Sequence, residues 1–167
     1  MPVNVLVRYG RIPEVAKVVA DDRRERGEKV IVRTHRGLEL ATVLETLKPS
    51  PQHDEPESDF VVVREATAED QFVFTGLATR AGDDFGDWTR RIADWNLDLQ
   101  LIDLEWTLDR EKLILYVLNE RGPECTRLAI QAAAAGLGIV EVQPVSATGL
   151  VPKENHGGGC GSCGSGH

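Results

Sequence analysis

The sequence is poor in the features that mark secreted and membrane-spanning proteins. It has three cysteines, two of them in a single Cys-X-X-Cys pattern, which is too few for a disulfide framework. No apolar run approaches the roughly 18 residues that a membrane-spanning helix needs. The N-terminal residues MPVNVLVRYG lack the basic segment and apolar run of a secretory signal. We therefore expect a cytoplasmic protein with no membrane contact.

The sequence also lacks the common catalytic motifs, since no GxSxG, P-loop or HExxH pattern occurs. The Gly136–Gly138 turn closes a predicted helix instead of opening one, which is the wrong polarity for binding phosphate. Asp103, Glu105 and Asp109 cluster on a predicted strand and its turn, where the polar alternation of the strand explains them more simply than catalysis does. Cys125 lies in the first turn of a predicted helix, and a small buried residue is its simplest interpretation. We predict that the protein is not an enzyme.

Charge is unevenly distributed along the chain. Residues 1–50 contain 10 basic and 7 acidic side chains, whereas residues 51–167 contain 9 basic and 20 acidic ones. A basic first third is compatible with an RNA contact, but the excess is small, and the arginines at 23–26 are interleaved with acids. An RNA-binding module acting through this part is therefore the alternative function, and RNA an alternative partner.

The first 47 residues predict a small antiparallel β subdomain that curls into a barrel. Four valine-rich or alternating runs of strand length are separated by turns, the last of them at His35–Gly37. The runs are Val3–Val7, Glu14–Ala20, Lys29–Arg33 and Leu38–Leu47. Residues 48–59 contain three prolines and several acids, which predicts an exposed loop with a solvated His53.

Residues 60–147 predict an α-β-β-α-β domain, which places the whole chain in the α+β class. Thr67 and Asp70 resemble a helix capping box, and Asn96 can end that helix in a left-handed conformation. Between them, apolar residues recur at helical spacing, with a kink expected near Gly82–Gly86. This stripe comprises Val73, Leu77, Ala81, Phe85, Trp88, Ile92 and Trp95.

The rest of this domain predicts strands around a second helix. Leu97–Leu108 alternates, and its apolar face is Ile102, Leu104, Trp106 and Leu108. Leu113–Leu118 has the continuous apolar character of a central strand. Pro123 suits the first turn of a helix that runs to about Ala135, and Ile139–Val145 is the last predicted strand, parallel to the central one.

Residues 148–167 predict a disordered tail rich in glycine. The tail contains His156, Cys160, Cys163 and His167, and thiolates and imidazoles are the usual ligands of zinc. Four such groups are enough for one tetrahedral zinc ion, whereas two thiolates alone cannot complete an iron–sulfur site. A tail without metal, or one with a reversible disulfide, is the alternative.

Three segments of the chain carry a family resemblance. They are Gly27–Gly37 with Leu40–Val43, Val61–Asp70, and Leu97–Val117, which reads LDLQLIDLEWTLDREKLILYV. In this order they resemble motifs of the bacterial polymerase-suppressor (PSP) C-terminal-domain family, which includes the RicT/YaaT-like proteins. Tyr116 matches the aromatic end of the family's hairpin, and the likeness covers most of residues 3–145.

The resemblance implies a regulatory or adaptor protein of the cytoplasm that works in a complex with protein partners and influences RNA maturation. It also implies iron–sulfur clusters on cysteines. Gly158–Gly164 is similar to the start of the family's cysteine motif, with Cys163 at the family cysteine, while Cys160 fills a position that is not cysteine there. From the resemblance we expect Cys160 and Cys163, with His156 and His167, to bind zinc or to share an iron–sulfur cluster with a partner chain.

Overall fold

The computed structural model of the chain describes residues 2–49, 58–118 and 122–152. Within these ranges the chain forms nine strands and two helices. Their bounds are β1 (Val3–Tyr9), β2 (Glu14–Ala20), β3 (Lys29–Thr34), β4 (Gly37–Thr46), β5 (Val61–Glu65), α1 (Ala68–Asp94), β6 (Gln100–Trp106), β7 (Lys112–Leu118), α2 (Pro123–Ala134), β8 (Ile139–Ser146) and β9 (Gly149–Leu150). Neither described helix combines the length and the apolar character that crossing a membrane requires.

Strands β1 to β5 form a closed barrel in the order β1-β2-β5-β3-β4, which confirms the barrel predicted from the valine-rich runs. Every second side chain of β1 points inward, as the period of a strand requires. The barrel core consists mainly of small branched side chains: Val5, Val7, Val18, Val30, Val32 and Val43. Strand β5 lies beyond the predicted subdomain of residues 1–47, and it completes the barrel by pairing with β2 and β3.

Helix α1 begins at the predicted capping box. The Thr67 hydroxyl accepts a hydrogen bond from the Asp70 amide at 3.1 Å, and the Asp70 carboxylate accepts one from the Thr67 amide at 2.8 Å. The helix is continuous over 27 residues, so Gly82 and Gly86 do not divide it. Asn96 follows its end with φ 54°, in the predicted left-handed conformation.

The second layer of the fold is a four-stranded sheet in the order β6-β7-β8-β9, covered on one face by α1 and α2. β6 and β7 are antiparallel, and β7 and β8 are parallel, as the sequence predicts. The predicted stripe of α1 packs here through Leu77, Ala81, Trp88 and Ile92, all of which are buried. We call this layer with its two helices the sheet unit.

Two details of the sheet unit differ from prediction. A register shift between Leu101 and Asp103 inserts a bulge, so Leu101 and Leu104 are buried while Ile102 is 40% exposed. The prediction that Ile102 shares a face with Leu104 is therefore wrong, because a bulge breaks the period of two. Strand β9 also lies within the segment predicted as a tail, where it pairs with the end of β8.

Candidate functional site: the charged joint between barrel and sheet

The four ligands predicted in the tail lie outside the described residues. These are His156, Cys160, Cys163 and His167, and the metal site they would form stays a prediction. His53 lies outside them as well. Cys125 is described, and its side chain is buried in the core of the sheet unit, as expected for a small apolar residue. Among described residues, no group of three or more potential metal ligands is close enough to hold an ion.

The acids noted on β6 and its turn lie where the barrel meets the sheet unit. Asp103 and Glu105 extend from the face of β6 opposite to the helices, and Asp109 lies in the turn that follows. Arg11, in the loop between β1 and β2, binds both acids of the strand: its Nε donates to Asp103 at 2.8 Å, and its amide donates to Glu105 at 2.6 Å. These carboxylates therefore connect the two layers of the fold.

Arg36, in the turn between β3 and β4, occupies the centre of this contact. Its side chain is only 4% exposed. Nη2 lies 2.6 Å from Glu39 Oε1 and 3.1 Å from Glu105 Oε1, and Nη1 donates a hydrogen bond to the Tyr116 hydroxyl at 3.0 Å. Nη1 also lies 3.9 Å from a carboxylate oxygen of Glu14. One cation from the barrel thus pairs with groups from β2, β4, β6 and β7.

We call the set Tyr9, Glu14, Arg36, Glu39, Glu105 and Tyr116 the charged joint. Arg36 stacks over the Tyr9 ring at 5.6 Å, which places the aromatic residue of β1 against the same guanidinium. Burial, which alone would lower the pKa of Arg36, is outweighed by Glu39 and Glu105, so the pKa is raised and the cation is permanent. Burial and the neighbouring Glu105 raise the pKa of Tyr116, which keeps its hydroxyl protonated as a donor.

The carboxylates of Glu39, which is buried, and Glu105, which is partly buried, have different surroundings. Glu105 accepts hydrogen bonds from the Tyr116 hydroxyl at 2.5 Å and from the Arg11 amide at 2.6 Å, in addition to its contact with Arg36. Glu39 accepts one hydrogen bond, from the Thr34 hydroxyl at 2.9 Å, beside its contact with Arg36. Burial raises the pKa of Glu39 to about 7, against the lowering effect of Arg36 and with a further increase from Glu105.

The charges of the joint are paired by proximity rather than by well-aligned hydrogen bonds. Nε and Nη2 of Arg36 are buried and make no aligned hydrogen bond with any group in the part of the chain that the structure describes. Nη2 lies 2.6 Å from Glu39 Oε1 without the alignment of a hydrogen bond. Buried charges that are incompletely hydrogen-bonded carry a large desolvation cost. The joint therefore specifies how the layers meet without contributing greatly to stability.

A backbone clasp lies beside the charged joint. The Leu108 amide donates to the Leu38 carbonyl at 2.8 Å, and the Leu38 amide donates to Asp109 at 3.1 Å. Gly37 has φ +134°, and a Cβ at this position would lie 3.0 Å from an Asp109 oxygen. Burial of Asp109 is outweighed by hydrogen bonds from Thr107 and from backbone amides, so its pKa is lowered and it remains an acceptor. Gly37 is thus required both by its own backbone and by the neighbouring carboxylate.

A second polar contact continues the interface toward β8. Lys112 Nζ donates a hydrogen bond to the His35 carbonyl at 3.3 Å. Lys112 Nζ and His35 Nε2 each lie 3.7 Å from a carboxylate oxygen of Glu141. Apolar burial at the interface is limited by comparison, since Ile12 of the barrel packs against a small cluster that contains Ile114 and Tyr116. A largely polar contact between two packed units resembles a transient protein interface more than a domain core.

The sequence singles out Asp103, Glu105 and Asp109 but predicts only the polar alternation of a strand for them, and it assigns no contact to Arg36 or Glu39. A signal for Glu39 was present, because it alternates with Ala41 and Val43 and therefore occupies an inward position of β4. A charged residue in such a register needs a buried partner. The partner was not readable, since Tyr116 is 80 positions from Arg36 along the chain.

Fold and site together define a class of protein: a closed β-barrel held against an α/β sheet unit by a charged joint. The chain is similar to the Stage 0 sporulation protein YaaT of Bacillus subtilis (strain 168), with 27% identity over 135 residues. The match covers 81% of this chain and 48% of the relative, so the chain spans about half the length of the curated relative it matches. No family model and no solved structure matches the chain.

The similarity to YaaT supports the YaaT-like part of the resemblance seen in the sequence. The assignment to the PSP C-terminal-domain family stays a prediction, because no family model matches.

Proposed function

We propose that the protein is a non-enzymatic regulatory adaptor of the cytoplasm that acts by binding protein partners. The observation that carries this proposal is the similarity to a sporulation protein over four fifths of the chain. The match extends over 135 residues, which is more than either the barrel or the sheet unit contains alone. In this role the two layers act as one scaffold that the charged joint orients.

The arrangement of the carboxylates supports a role without catalysis. Acid–base chemistry needs a carboxyl group that can reach a substrate. Glu105 is bound to Tyr116, Arg11 and Arg36, and Asp109 is bound to Thr107 and to the Leu38 amide. These acids already have structural partners that connect the barrel to the sheet unit.

A chimera tests the regulatory role. The segment of B. subtilis YaaT that corresponds to this chain is replaced by it, and sporulation frequency is measured in a strain that lacks YaaT. We expect the chimera to restore sporulation. A chimera that accumulates as folded protein, yet leaves sporulation at the level of the deletion strain, contradicts the proposal.

Asp103→Asn in the same chimera tests the absence of catalysis. Asp103 is partly exposed and its ion pair with Arg11 is at the surface, so the substitution should leave the fold intact. We expect sporulation to be unchanged. Loss of sporulation at unchanged thermal stability and unchanged binding of the protein partners would contradict a role without catalysis.

We also propose that the C-terminal residues bind a metal ion. Two thiolates and two imidazoles, from Cys160, Cys163, His156 and His167, fit tetrahedral zinc. The same set is short of the four thiolates that an iron–sulfur cluster commonly takes, so a cluster would need ligands from another chain.

Anaerobic purification followed by metal analysis and visible absorption separates these outcomes. We expect zinc without a visible absorption band, and no zinc after Cys160→Ser with Cys163→Ser. A brown protein would indicate a shared cluster instead. Equal metal content in the wild type and the double variant would contradict any metal site at the two cysteines.

A further inference from the structure

The contact between barrel and sheet unit combines a dense set of charges with little apolar burial. The charged joint contains three carboxylates and one arginine, and the apolar part of the contact is the small cluster around Ile12. Hydrophobic burial is insensitive to pH, whereas buried charges respond to it directly. The balance between buried charge and apolar area makes this contact sensitive to protonation.

Charge balance at the joint depends on one proton. Arg36 supplies a single positive charge to two carboxylates, the buried one of Glu39 and the partly buried one of Glu105. Arg11 offers Glu105 its amide, while its side chain is committed to Asp103. Glu14 is a third carboxylate, about one third exposed, and its negative charge adds to the excess. With every carboxylate ionised, the buried charges do not balance.

The surroundings decide which carboxylate holds the proton. Glu105 accepts hydrogen bonds from the Tyr116 hydroxyl and the Arg11 amide, and its Oε1 lies 3.1 Å from Arg36 Nη2. Glu39 is the more buried of the two, with a side-chain exposure of 5% against 14%, and it receives fewer hydrogen bonds. The titratable groups that interact with Glu39 are Tyr9 from β1, Glu14 from β2, Arg36 from the turn and Glu105 from β6, while Tyr116 from β7 contacts Arg36 and Glu105.

We propose that the charged joint is a proton-linked latch: barrel and sheet unit hold each other most tightly when Glu39 carries a proton, and their contact loosens when that proton is lost. The latch sets how firmly the two layers are oriented, whatever partner the protein binds. It does not depend on the proposed regulatory function.

The direction of the effect follows from linkage. The pKa of Glu39 is raised from 4.5 to about 7 in the closed joint, so the closed form binds the proton more tightly than a form in which Glu39 meets water. The stabilisation of the closed contact by the Glu39 proton is fully present below pH 4.5 and is lost as pH rises through 7. Between pH 5 and 7.5 the equilibrium constant for opening should increase on the order of 50-fold.

Hydrogen exchange of two backbone amides measures this opening. The amides of Leu38 and Leu108 form the clasp across the contact, so each exchanges when the contact opens. After correction for the intrinsic pH dependence of exchange, we expect their protection to fall between pH 5 and 7.5 and then to level off. Amides inside the barrel, such as that of Val7, should change less.

Glu39→Gln is the decisive variant, because it is neutral at every pH and similar in size. It should keep strong protection of Leu38 and Leu108 from pH 5 to 7.5. Glu45→Gln is the matched control, since Glu45 lies on the same strand but is exposed, and it should keep the wild-type pH dependence. The proposal is overturned if wild-type protection is flat over this range, or if Glu39→Gln retains the slope.

A direct titration of Glu39 in the wild-type protein tests the proposal without the Glu39→Gln variant. The carboxyl carbon of Glu39, followed by NMR in the full chain, should titrate with a midpoint near 7. A midpoint below 5 would show that Glu39 is ionised at neutral pH, and the latch would then be excluded even if Glu39→Gln failed to fold.

Discussion

At the scale of single residues, Arg36 is the side chain on which the meeting of the two layers depends. It contacts carboxylates from three strands and the hydroxyl of Tyr116, and it is almost fully buried. Replacing a buried ion cluster with apolar side chains is often tolerated, but removing one partner leaves the others buried and uncompensated. The loss of stability on replacing Arg36 should therefore depend on whether the neighbouring carboxylates are kept or are replaced as well.

Arg36→Met should destabilise the protein by about 3–5 kcal/mol at pH 7.5, because Glu39 and Glu105 lose their common cation. The measurement is urea-induced unfolding. Arg33→Met is the control, since Arg33 is an exposed arginine near the end of β3 and should change stability by less than about 0.5 kcal/mol. Adding Glu39→Leu to Arg36→Met should recover part of the loss, and an additive further loss would contradict this account.

At the scale of elements, two glycines illustrate opposite requirements. Gly82 lies on the solvent side of α1, and apart from the helix's own backbone and its chain neighbours a Cβ there would meet no atom of the described residues within 4 Å. Gly37 has a positive φ, and a Cβ there would approach Asp109. The first glycine only weakens its helix, whereas the second permits the clasp between the layers.

Gly82→Ala should therefore raise the free energy of unfolding by about 1 kcal/mol, the difference in helix propensity between the two residues. Gly37→Ala should lower it by about 1–3 kcal/mol, through backbone strain and displacement of Asp109. Both are measured by thermal unfolding at one pH. A destabilising Gly82→Ala would mean that this face of α1 is covered by a group outside the part of the chain that the structure describes.

The elements could be predicted from the sequence to the extent that their signals are local. Valine alternation identified the barrel strands, and the spacing from Leu77 to Ile92 identified the buried face of α1. The bulge beside Ile102 could not be predicted, because one extra residue reverses the faces without changing composition. The charged joint could not be predicted either, since it depends on side chains that are far apart in sequence, such as Arg36 and Tyr116.

At the scale of the whole molecule, the three tryptophans lie in one layer only. Trp88 is in α1, Trp95 is its C-cap residue and Trp106 is in β6, so tryptophan fluorescence reports on the sheet unit. The barrel contains none. Tryptophan fluorescence therefore follows unfolding of the sheet unit, whereas far-ultraviolet circular dichroism follows loss of secondary structure in both layers.

Val7→Ala, in the barrel core, should lower stability by about 1–3 kcal/mol because it leaves a cavity among packed valines. At pH 5, where the layers are held together, we expect the tryptophan-detected transition to shift by the same amount as the transition detected by circular dichroism. At pH 8 the shift in fluorescence should be smaller. Equal shifts at both pH values would show that the coupling between the layers does not depend on protonation.

The length of helix α1 would amplify any rotation between the barrel and the sheet unit. Its 27 residues span roughly 40 Å, and they are fixed to the sheet through Ala81, Trp88 and Ile92. Only Ala66 and Thr67 separate the helix from β5 of the barrel. If the sheet unit rotates by about 10° around that connection, the far end of α1 moves by about 7 Å. A small rotation between the two layers would therefore become a displacement of several ångströms at the far end of α1, which is a change of surface that a bound protein would sense.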